Sequence, residues 1–369
     1  MTPLLNTAAE NRVDLEFALG SSDFVLPAEL EASEPPEARG LARDQVRLLV
    51  TAGAEKAEHA VFRQLPDFLQ AGDLLVINTS ATLPAALTGQ REDGSAVEVH
   101  LSTRLPAGMW SAELRQPAVR ASRAFYGGRA GEVIGLPGGG QLKLYAPYSE
   151  DRRVPKGDRV RLWVARLAAP LPWADYLHAH GFPIRYEYME QSWPLAYYQT
   201  AFAVEPGSAE MPSAGRPFTP ELITRLVANG VQIAPLVLHT GVASLEEGEP
   251  PYAEYYRVPE PTAQQINHVR ATGGRVVAVG TTVVRAVESV VDDRGRIRGG
   301  EGWTRLVIGE GHRPRAIDGL LTGFHEPRAS HLQMLQALAG NEHLGRAYEE
   351  ALAAGYLWHE FGDIHLILP

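Results

Sequence analysis

"GDLLVINTS", residues 72–80, divides this chain into two textures. Gly72-Asp73 turns the backbone, and Leu74-Leu75-Val76-Ile77 is a short unbroken apolar run, the pattern of a strand buried on both faces. Beyond it the pattern changes to alternation. "AVEVHLS" (96–102), "MWSAELR" (109–115), "QLKLYAP" (141–147) and "DRVRLWVA" (158–165) set apolar and polar residues at period two, with Gly- and Pro-rich turns between them. That spacing predicts a small antiparallel barrel or sandwich. The triple glycine of "GLPGGG" (135–140) is no dinucleotide fingerprint, because no helix follows it.

From about residue 172 the pattern is mixed α/β. Thr219 as N-cap, Pro220 at the first position and Gly230 at the end predict a helix over roughly 220–229, followed by the strand "VQIAPLVLH" (231–239). A helix near 261–272 stops at Gly273-Gly274, and "RVVAVG" (275–280) is the next buried strand. "TTVVRAVESVV" (281–291) reads as a loop running into a helix; helices near 329–339 and 342–354 precede a last strand, "IHLIL" (364–368). The expected fold is therefore a mixed-sheet α/β main domain from residues 1–78 and 171–369, with residues 79–170 inserted as a small antiparallel β-barrel domain.

With 369 residues, the chain is long enough for two domains or one core with a large insert. It has no cysteine, which excludes disulfides, thiolate metal sites and cysteine nucleophiles and fits a reducing compartment. The first residues lack a basic start with an unbroken apolar run, and no stretch offers the ~18 apolar residues of a membrane span, so a cytoplasmic protein is expected. Asn78-Thr79-Ser80 matches a glycosylation sequon, which is idle without export. Lysine occurs only at 56, 143 and 156, leaving arginine for the rest of the 34 basic residues. The net charge of −10 argues against general nucleic-acid binding, yet residues 79–170 carry 13 basic and 8 acidic groups, or +5, against −15 elsewhere.

"VAVGTTVVRAVES" (277–289) is the strongest local signal for a site. A buried strand that delivers Gly280-Thr281-Thr282 to a helix start points backbone N–H groups and two hydroxyls at one spot, where the helix dipole favours an anion. Arg285, one turn on, has the fork to pair with a carboxylate or phosphate, or with a surface carboxylate of the protein itself. His239 in "LVLHTGVAS" ends a strand, the edge at which α/β sheets bind ligands. His325 in "TGFHEP" lies in a turn before a proline, and Gly362-Asp363 stands directly before the last strand, so Asp363 either serves a cation or caps a turn. The stretch "GSAEMPSAGRPFTPEL" (207–222) is small and stiff, as a backbone in close contact with a ligand must be. His178 and His180 are too close for a helical metal pair, and H-E-x-x-H, G-x-S-x-G and P-loop motifs are absent, so no metal is expected.

These stretches, in this order, resemble one family, the S-adenosylmethionine:tRNA ribosyltransferase-isomerases of queuosine synthesis. The resemblance runs through "DFVLPAEL" (23–30), "FRQLPDFLQAGDLLVINTS" (62–80), "AVEVHL" (96–101), "YYQTAFAVEPGSAEMPSAGRPFTPELITRL" (197–226), "VQIAPLVLHTG" (231–241), "GGRVVAVGTTVVRAVES" (273–289), "LLTGFHEPRAS" (320–330) and "FGDIHLIL" (361–368). It implies an α/β domain with an inserted barrel. It also implies an enzyme that moves the ribosyl group of S-adenosylmethionine onto 7-aminomethyl-7-deazaguanine at the anticodon wobble position of tRNA. An epoxycyclopentanediol forms, and adenine and methionine leave. The sulfonium acidifies the neighbouring C5′–H, so a base is needed: His239 or Asp363, with Glu254 or Asp363 balancing the sulfonium. Gly280, Thr281, Thr282 and Arg285 would hold the methionine carboxylate. Tyr198, Gln199, Thr200 and Ser213, Ala214, Gly215 would wall the pocket, with His325 beside it.

The departures from the family pattern fall on polar positions. Asn-Asp-Thr-Arg becomes Asn78-Thr79-Ser80-Ala81, and Leu-His-Phe after the small-residue turn becomes Arg216-Pro217-Phe218. A His-x-Met-His-x-Glu pattern becomes Glu249-Pro250-Pro251-Tyr252-Ala253-Glu254, and Asn gives way to Gly323 in "TGFHEP". Two outcomes follow: Arg216 restores the missing charge and the activity is kept, or the chain acts on another acceptor.

Overall fold

A computed structural model describes residues 24–53, 57–118, 121–148, 160–242, 252–309 and 311–369. The run at 74–77 is a strand, Leu74–Asn78, at the centre of a nine-stranded mixed sheet. Its side chains divide by period two, as a pleated strand requires. Leu74 and Val76 enter one core with the helices Glu260–Ala271, Thr281–Glu288, Ser330–Ala339 and Asn341–Ala353, whereas Leu75 and Ile77 pack with Phe62, Phe218 and the helix Pro220–Ala228. Burial on both faces is what demanded the unbroken apolar run.

The strand pairs in parallel with Gln232–Leu238 on one side and Val276–Val279 on the other, and Val276–Val279 pairs in parallel with Gly319–Gly323. Ile364–Leu368 runs antiparallel to Gly319–Gly323 and parallel to Arg47–Ala52. Asp73 helps to set the register: its carboxylate accepts from the Gln70 N–H and pairs with Arg275, just before Val276. One edge of the sheet therefore gathers the carboxyl ends of four parallel strands and the amino ends of Ile364–Leu368 and Arg47–Ala52. Glu254–Val258 and Gly300–Thr304 extend the sheet beyond Gln232–Leu238.

The alternating segments form the expected barrel. Ala86–Gln90, Ala96–Arg104, Trp110–Gln116, Leu162–Ala168, Gln141–Pro147 and Val133–Gly135 pair antiparallel in a ring, closed where Trp110–Gln116 meets Leu162–Ala168. Closure leaves no free edges along these strands. "GLPGGG" turns between two barrel strands, with Tyr176 donating to the Pro137 carbonyl at 2.6 Å. Ser80–Thr82 pairs with Glu205–Ser208 of the main sheet's side, so the chain leaves the main sheet through a short parallel pair before it enters the barrel.

The helix Thr281–Glu288 starts directly after Gly280, with no loop between strand and helix, because Gly280 takes φ +96° and turns the chain in one residue. Thr219 caps the helix Pro220–Ala228 as read, its hydroxyl accepting from the Leu222 N–H at 3.2 Å. "DRVRLWVA" starts its strand later than read, at Leu162; residues 151–159 lie outside the described residues, as do 1–23 and Glu249-Pro250-Pro251. Asn78 is buried and its amide is fully used within the sheet, so the sequon is also sterically closed. Among the described residues, no helix is long and apolar enough to cross a membrane.

Candidate active site

At the shared sheet edge, the strand Leu74–Asn78 ends in an amide that ties three elements together. Asn78 donates to the Leu238 carbonyl at 2.8 Å and to Thr282 Oγ1 at 3.3 Å. Its Oδ1 accepts from the N–H groups of Leu238 and Ser80, at 3.0 and 3.1 Å. One side chain thus fixes the end of the histidine-bearing strand, the Gly280 turn and Ser80. Asn78→Ala leaves the Leu238 and Ser80 backbone groups without partners, each costing about 1–3 kcal/mol when buried. We expect its urea midpoint to fall by the equivalent of about 2 kcal/mol or more; an unchanged midpoint would show that the amide does not hold the edge together.

His239 follows that strand. Its Nδ1 is 2.7 Å from Ser80 Oγ, which is 2.6 Å from Ser208 Oγ, and Ser208 Oγ accepts from the Thr240 N–H at 3.1 Å. The other imidazole nitrogen, Nε2, faces Glu205 at 3.8 Å, and Glu205 is paired with Arg257. Burial lowers the His239 pKa below its ordinary value, against the pull of Glu205. The ring is therefore neutral near pH 7, held on one side by a hydroxyl chain, with a carboxylate ready to stabilise it once protonated. Gly207 is required beside it: a Cβ there would lie 2.4 Å from the ring.

The two glycine turns meet. A Cβ on Gly280 would come 3.4 Å from that of Ala214, in the short turn Ser213–Gly215. Gly280 donates to the Leu321 carbonyl at 2.8 Å, which anchors its turn to the next strand. The first-turn N–H groups of Thr281 and Thr282 have no carbonyl behind them, as at any helix start.

Glu254 and Arg285, read separately in the sequence, form one unit. Glu254 pairs with Arg285 Nη1 and accepts from the Gly241 N–H at 3.0 Å, just past His239. Arg285 Nε donates to the Leu306 carbonyl at 3.0 Å, while Nη2 is buried and makes no hydrogen bond. A buried donor of this kind is costly unless a ligand supplies its acceptor. His331, brought to about 4 by burial and by Arg285, stacks on His325 with ring centres 4.6 Å apart. His325 contacts Thr322 Oγ1 at 2.9 Å, and burial likewise keeps it neutral.

The other sequence candidates hold the frame of this edge. Asp363 is buried, with Oδ1 accepting from the Arg47 N–H at 2.7 Å and Oδ2 from Arg47 Nε and the Leu357 N–H, at 3.0 and 2.8 Å. Both of its oxygens are thus committed to joining two strands. Gln199 brackets Thr82, accepting from its N–H at 3.1 Å and donating to its carbonyl at 2.8 Å. Tyr198 donates to the Met189 sulfur, and burial pushes its hydroxyl up to about 12. Thr200 Oγ1 accepts from the Phe202 N–H at 3.2 Å, and its methyl packs at the Gly215 turn. These three residues clamp the chain behind the Ser213–Gly215 turn.

Arg216 lies in the frame of the edge, so it neither restores the missing charge nor marks a change of acceptor. It is buried, donates to the Tyr197 carbonyl and to Glu37 at 2.9 and 2.7 Å, and lies 4.9 Å over the Phe361 ring. Ser80, in contrast, keeps a hydroxyl where the resemblance has threonine, and that hydroxyl holds His239. Sequence reading missed the roles of Ser80, Ser208 and Glu205; the signal available was their position within motifs already singled out.

Residues 19–367 match the family model described as "Queuosine biosynthesis protein". The chain belongs to this family. Among its relatives, a protein of Symbiobacterium thermophilum named S-adenosylmethionine:tRNA ribosyltransferase-isomerase is 40% identical over 364 residues, which is 95% of this chain and 99% of that one. One of the same name from Thermus thermophilus is 36% identical, again over 95% and 99%. The crystal structure of S-adenosylmethionine tRNA ribosyltransferase from Thermotoga maritima matches with a TM-score of 0.52 and 30% identity, over 94% of this chain and 99% of that one. The family match thus spans both the mixed sheet and the barrel. Among the described residues, no group of three His, Asp or Glu side chains is placed to hold a metal ion.

Proposed function

We propose that this protein is a cytoplasmic enzyme that transfers and isomerises the ribosyl group of S-adenosylmethionine onto 7-aminomethyl-7-deazaguanine in the tRNA anticodon. Epoxyqueuosine forms, and adenine and methionine are released. The observation that carries the reading is the meeting of His239, the Gly280–Ala214 contact and the Glu254–Arg285 pair at one sheet edge, in a chain of the queuosine family. In our reading, residues 1–78 and 171–369 act as the unit that binds the donor, and the insert 79–170 faces the RNA.

Each group has a task that its chemistry suits. Arg285 Nη2, together with the Thr281 and Thr282 N–H groups, takes the methionine carboxylate. Glu254 sets the guanidinium and offers negative charge to the donor's cationic groups. His239, neutral and aligned, accepts the C5′ proton that the sulfonium has acidified, and Glu205 balances the imidazolium that results. The close Gly280–Ala214 wall keeps water from the reactive intermediate until the amine attacks. Asp363 and Tyr198, Gln199 and Thr200 support these groups from behind.

Incubation with S-adenosylmethionine and tRNA bearing the aminomethyl base is expected to release adenine and to yield a heavier anticodon nucleoside. Binding of that tRNA is expected to weaken steeply with salt, because phosphate contacts dominate such affinity. Adenine release that does not depend on the modified tRNA would overturn the acceptor assignment.

A further inference from the structure

At one edge of the main sheet, the strand pair Glu254–Val258 and Gly300–Thr304 has two unlike faces. Directly opposed residues of an antiparallel pair share a face. One face therefore carries Glu254, Tyr256 and Val258 with Thr304, Gly302 and Gly300. It is turned inward: Val258 lies in the core, Tyr256 packs against it, and Thr304 accepts from Ser289 Oγ at 2.6 Å. The other face carries Tyr255 and Arg257 with Trp303 and Glu301. The outer strand thus inverts the usual order of a half-buried strand. Two glycines and a threonine face the core, while its one large apolar side chain, Trp303, is 39% exposed. Among the described residues, neither Tyr255 nor Trp303 packs into a hydrophobic core cluster.

These two rings continue the proposed site. The His239 N–H donates to the Tyr255 carbonyl at 2.9 Å, and the imidazole stacks on the Tyr255 ring at 5.8 Å and 26°. Tyr255 in turn meets Trp303 edge-on, at 5.9 Å and 68°. The Tyr255 hydroxyl donates to Glu301 at 2.9 Å, which fixes the middle ring. The row runs from the proposed base to an indole open to solvent. The charge around it suits RNA. In a chain of net charge −10, "RGRIRGGEGWTR" (294–305) carries four arginines and one glutamate, and all four arginines are exposed. Arg298 is paired with Asp292 and still 66% exposed. Arginine and glycine interleaved with an aromatic ring are suited to single-stranded nucleic acid.

We infer that Trp303, braced by Tyr255, is a stacking shelf for the nucleobase next to the acceptor in the anticodon loop. The inference rests on the function proposed above, and it adds a residue that positions the RNA. An acceptor base that enters the site leaves the stack of its loop, and its neighbour loses a partner. An aromatic face beside the site replaces that partner whatever the neighbour's identity, because every base has a π-face. An open edge strand also invites a second copy of the chain. Two copies paired there would bring the same four arginines together, which favours the RNA.

The test uses the full-length protein and an anticodon stem-loop that carries the aminomethyl base. Two further stem-loops have an abasic nucleotide on one side or the other of that base. Wild type is expected to bind the intact stem-loop, and to bind one of the abasic pair about 10-fold more weakly. Trp303→Ala is expected to bind the intact stem-loop about 10-fold more weakly and to be indifferent to that same abasic site. No phosphate contact is removed, so the slope of log Kd against log salt should keep its wild-type value. Affinity for S-adenosylmethionine should not change. Equal binding of the intact stem-loop by wild type and Trp303→Ala would overturn the assignment. So would two losses that multiply when the variant and the abasic site are combined. A dimer that dissociates on Trp303→Ala would give the edge to a second copy, which also overturns it. If Trp303→Ala misfolds, judged by its thermal midpoint, Trp303→Thr, suited to an outer strand, is held to the same outcomes. Binding needs no turnover, so absent adenine release would strike the proposed reaction alone, whereas undiminished binding by Trp303→Ala would strike the shelf alone.

Discussion

His239→Ala is expected to lower tRNA-dependent adenine release by about 10²- to 10⁴-fold, the range that a positioned general base supplies. The fold should survive, because the ring sits at a sheet edge against Gly207 and Tyr255 and not within a core cluster; an unchanged near-UV spectrum would confirm it. The pH profile separates a base from a merely structural imidazole. Since burial lowers the His239 pKa, the neutral, proton-accepting form persists below the ordinary histidine range. The acid limb of kcat/KM in the wild type should accordingly fall below about 6.5. Glu205 opposes that lowering, so Glu205→Gln should move the limb further toward acid and reduce the rate. A variant lacking His239 that turns over at the wild-type rate, or an acid limb indifferent to Glu205, would remove His239 from the mechanism.

The parts of this edge that could be read from sequence are those made locally. Gly280-Thr281-Thr282 follow a strand whose apolar run is continuous because both faces are buried, and His239 follows one whose last three residues, Leu236-Val237-Leu238, are buried, so position along the chain already placed them at the sheet's end. The barrel was legible for the converse reason: each of its strands has one face in a core, and alternation records it. What stayed hidden depends on distant pairings. Arg47–Ala52 and Gly319–Gly323 are short strands, and their places are set by Ile364–Leu368 between them. Glu254–Val258 has no fully apolar stretch to announce it, being a polar strand beside Gly300–Thr304.

The same reason explains why the sequence could name site residues without ranking them. Asp363 and His239 look alike as acids or bases at strand ends. Only the fold brings Arg47, 316 positions away, onto both carboxylate oxygens of Asp363 and leaves the imidazole of His239 beside a hydroxyl chain. Arg216 shows the reverse. Read alone, it is a spare charge in a motif that lost its histidine; in the structure it locks Glu37, Tyr197 and Phe361 behind the Ser213–Gly215 turn. The departures at 216 and 80 therefore alter the support of the edge while keeping its hydroxyl and its imidazole.

Arg285→Met should produce two effects with different origins. Stability is expected to fall by about 3 kcal/mol, because Glu254 and Arg285, 13% and 12% exposed, form a largely buried pair, and removing one partner strands the other's charge. Affinity for S-adenosylmethionine is expected to fall about 100-fold, the upper range for charge-assisted hydrogen bonds, because the free Nη2 is lost with the pair. The double variant Arg285→Met/Glu254→Gln separates the two. It no longer buries an unpaired charge, so most of the stability should return, whereas the donor's carboxylate still lacks its fork and the affinity should not. Arg285→Lys should fall between, keeping a positive charge but not the geometry that serves Glu254 and a ligand at once. If Arg285→Met binds S-adenosylmethionine as tightly as wild type after its stability loss is accounted for, the pair is a strut between Glu254–Val258 and the helix Thr281–Glu288, and the carboxylate must be sought elsewhere on the edge.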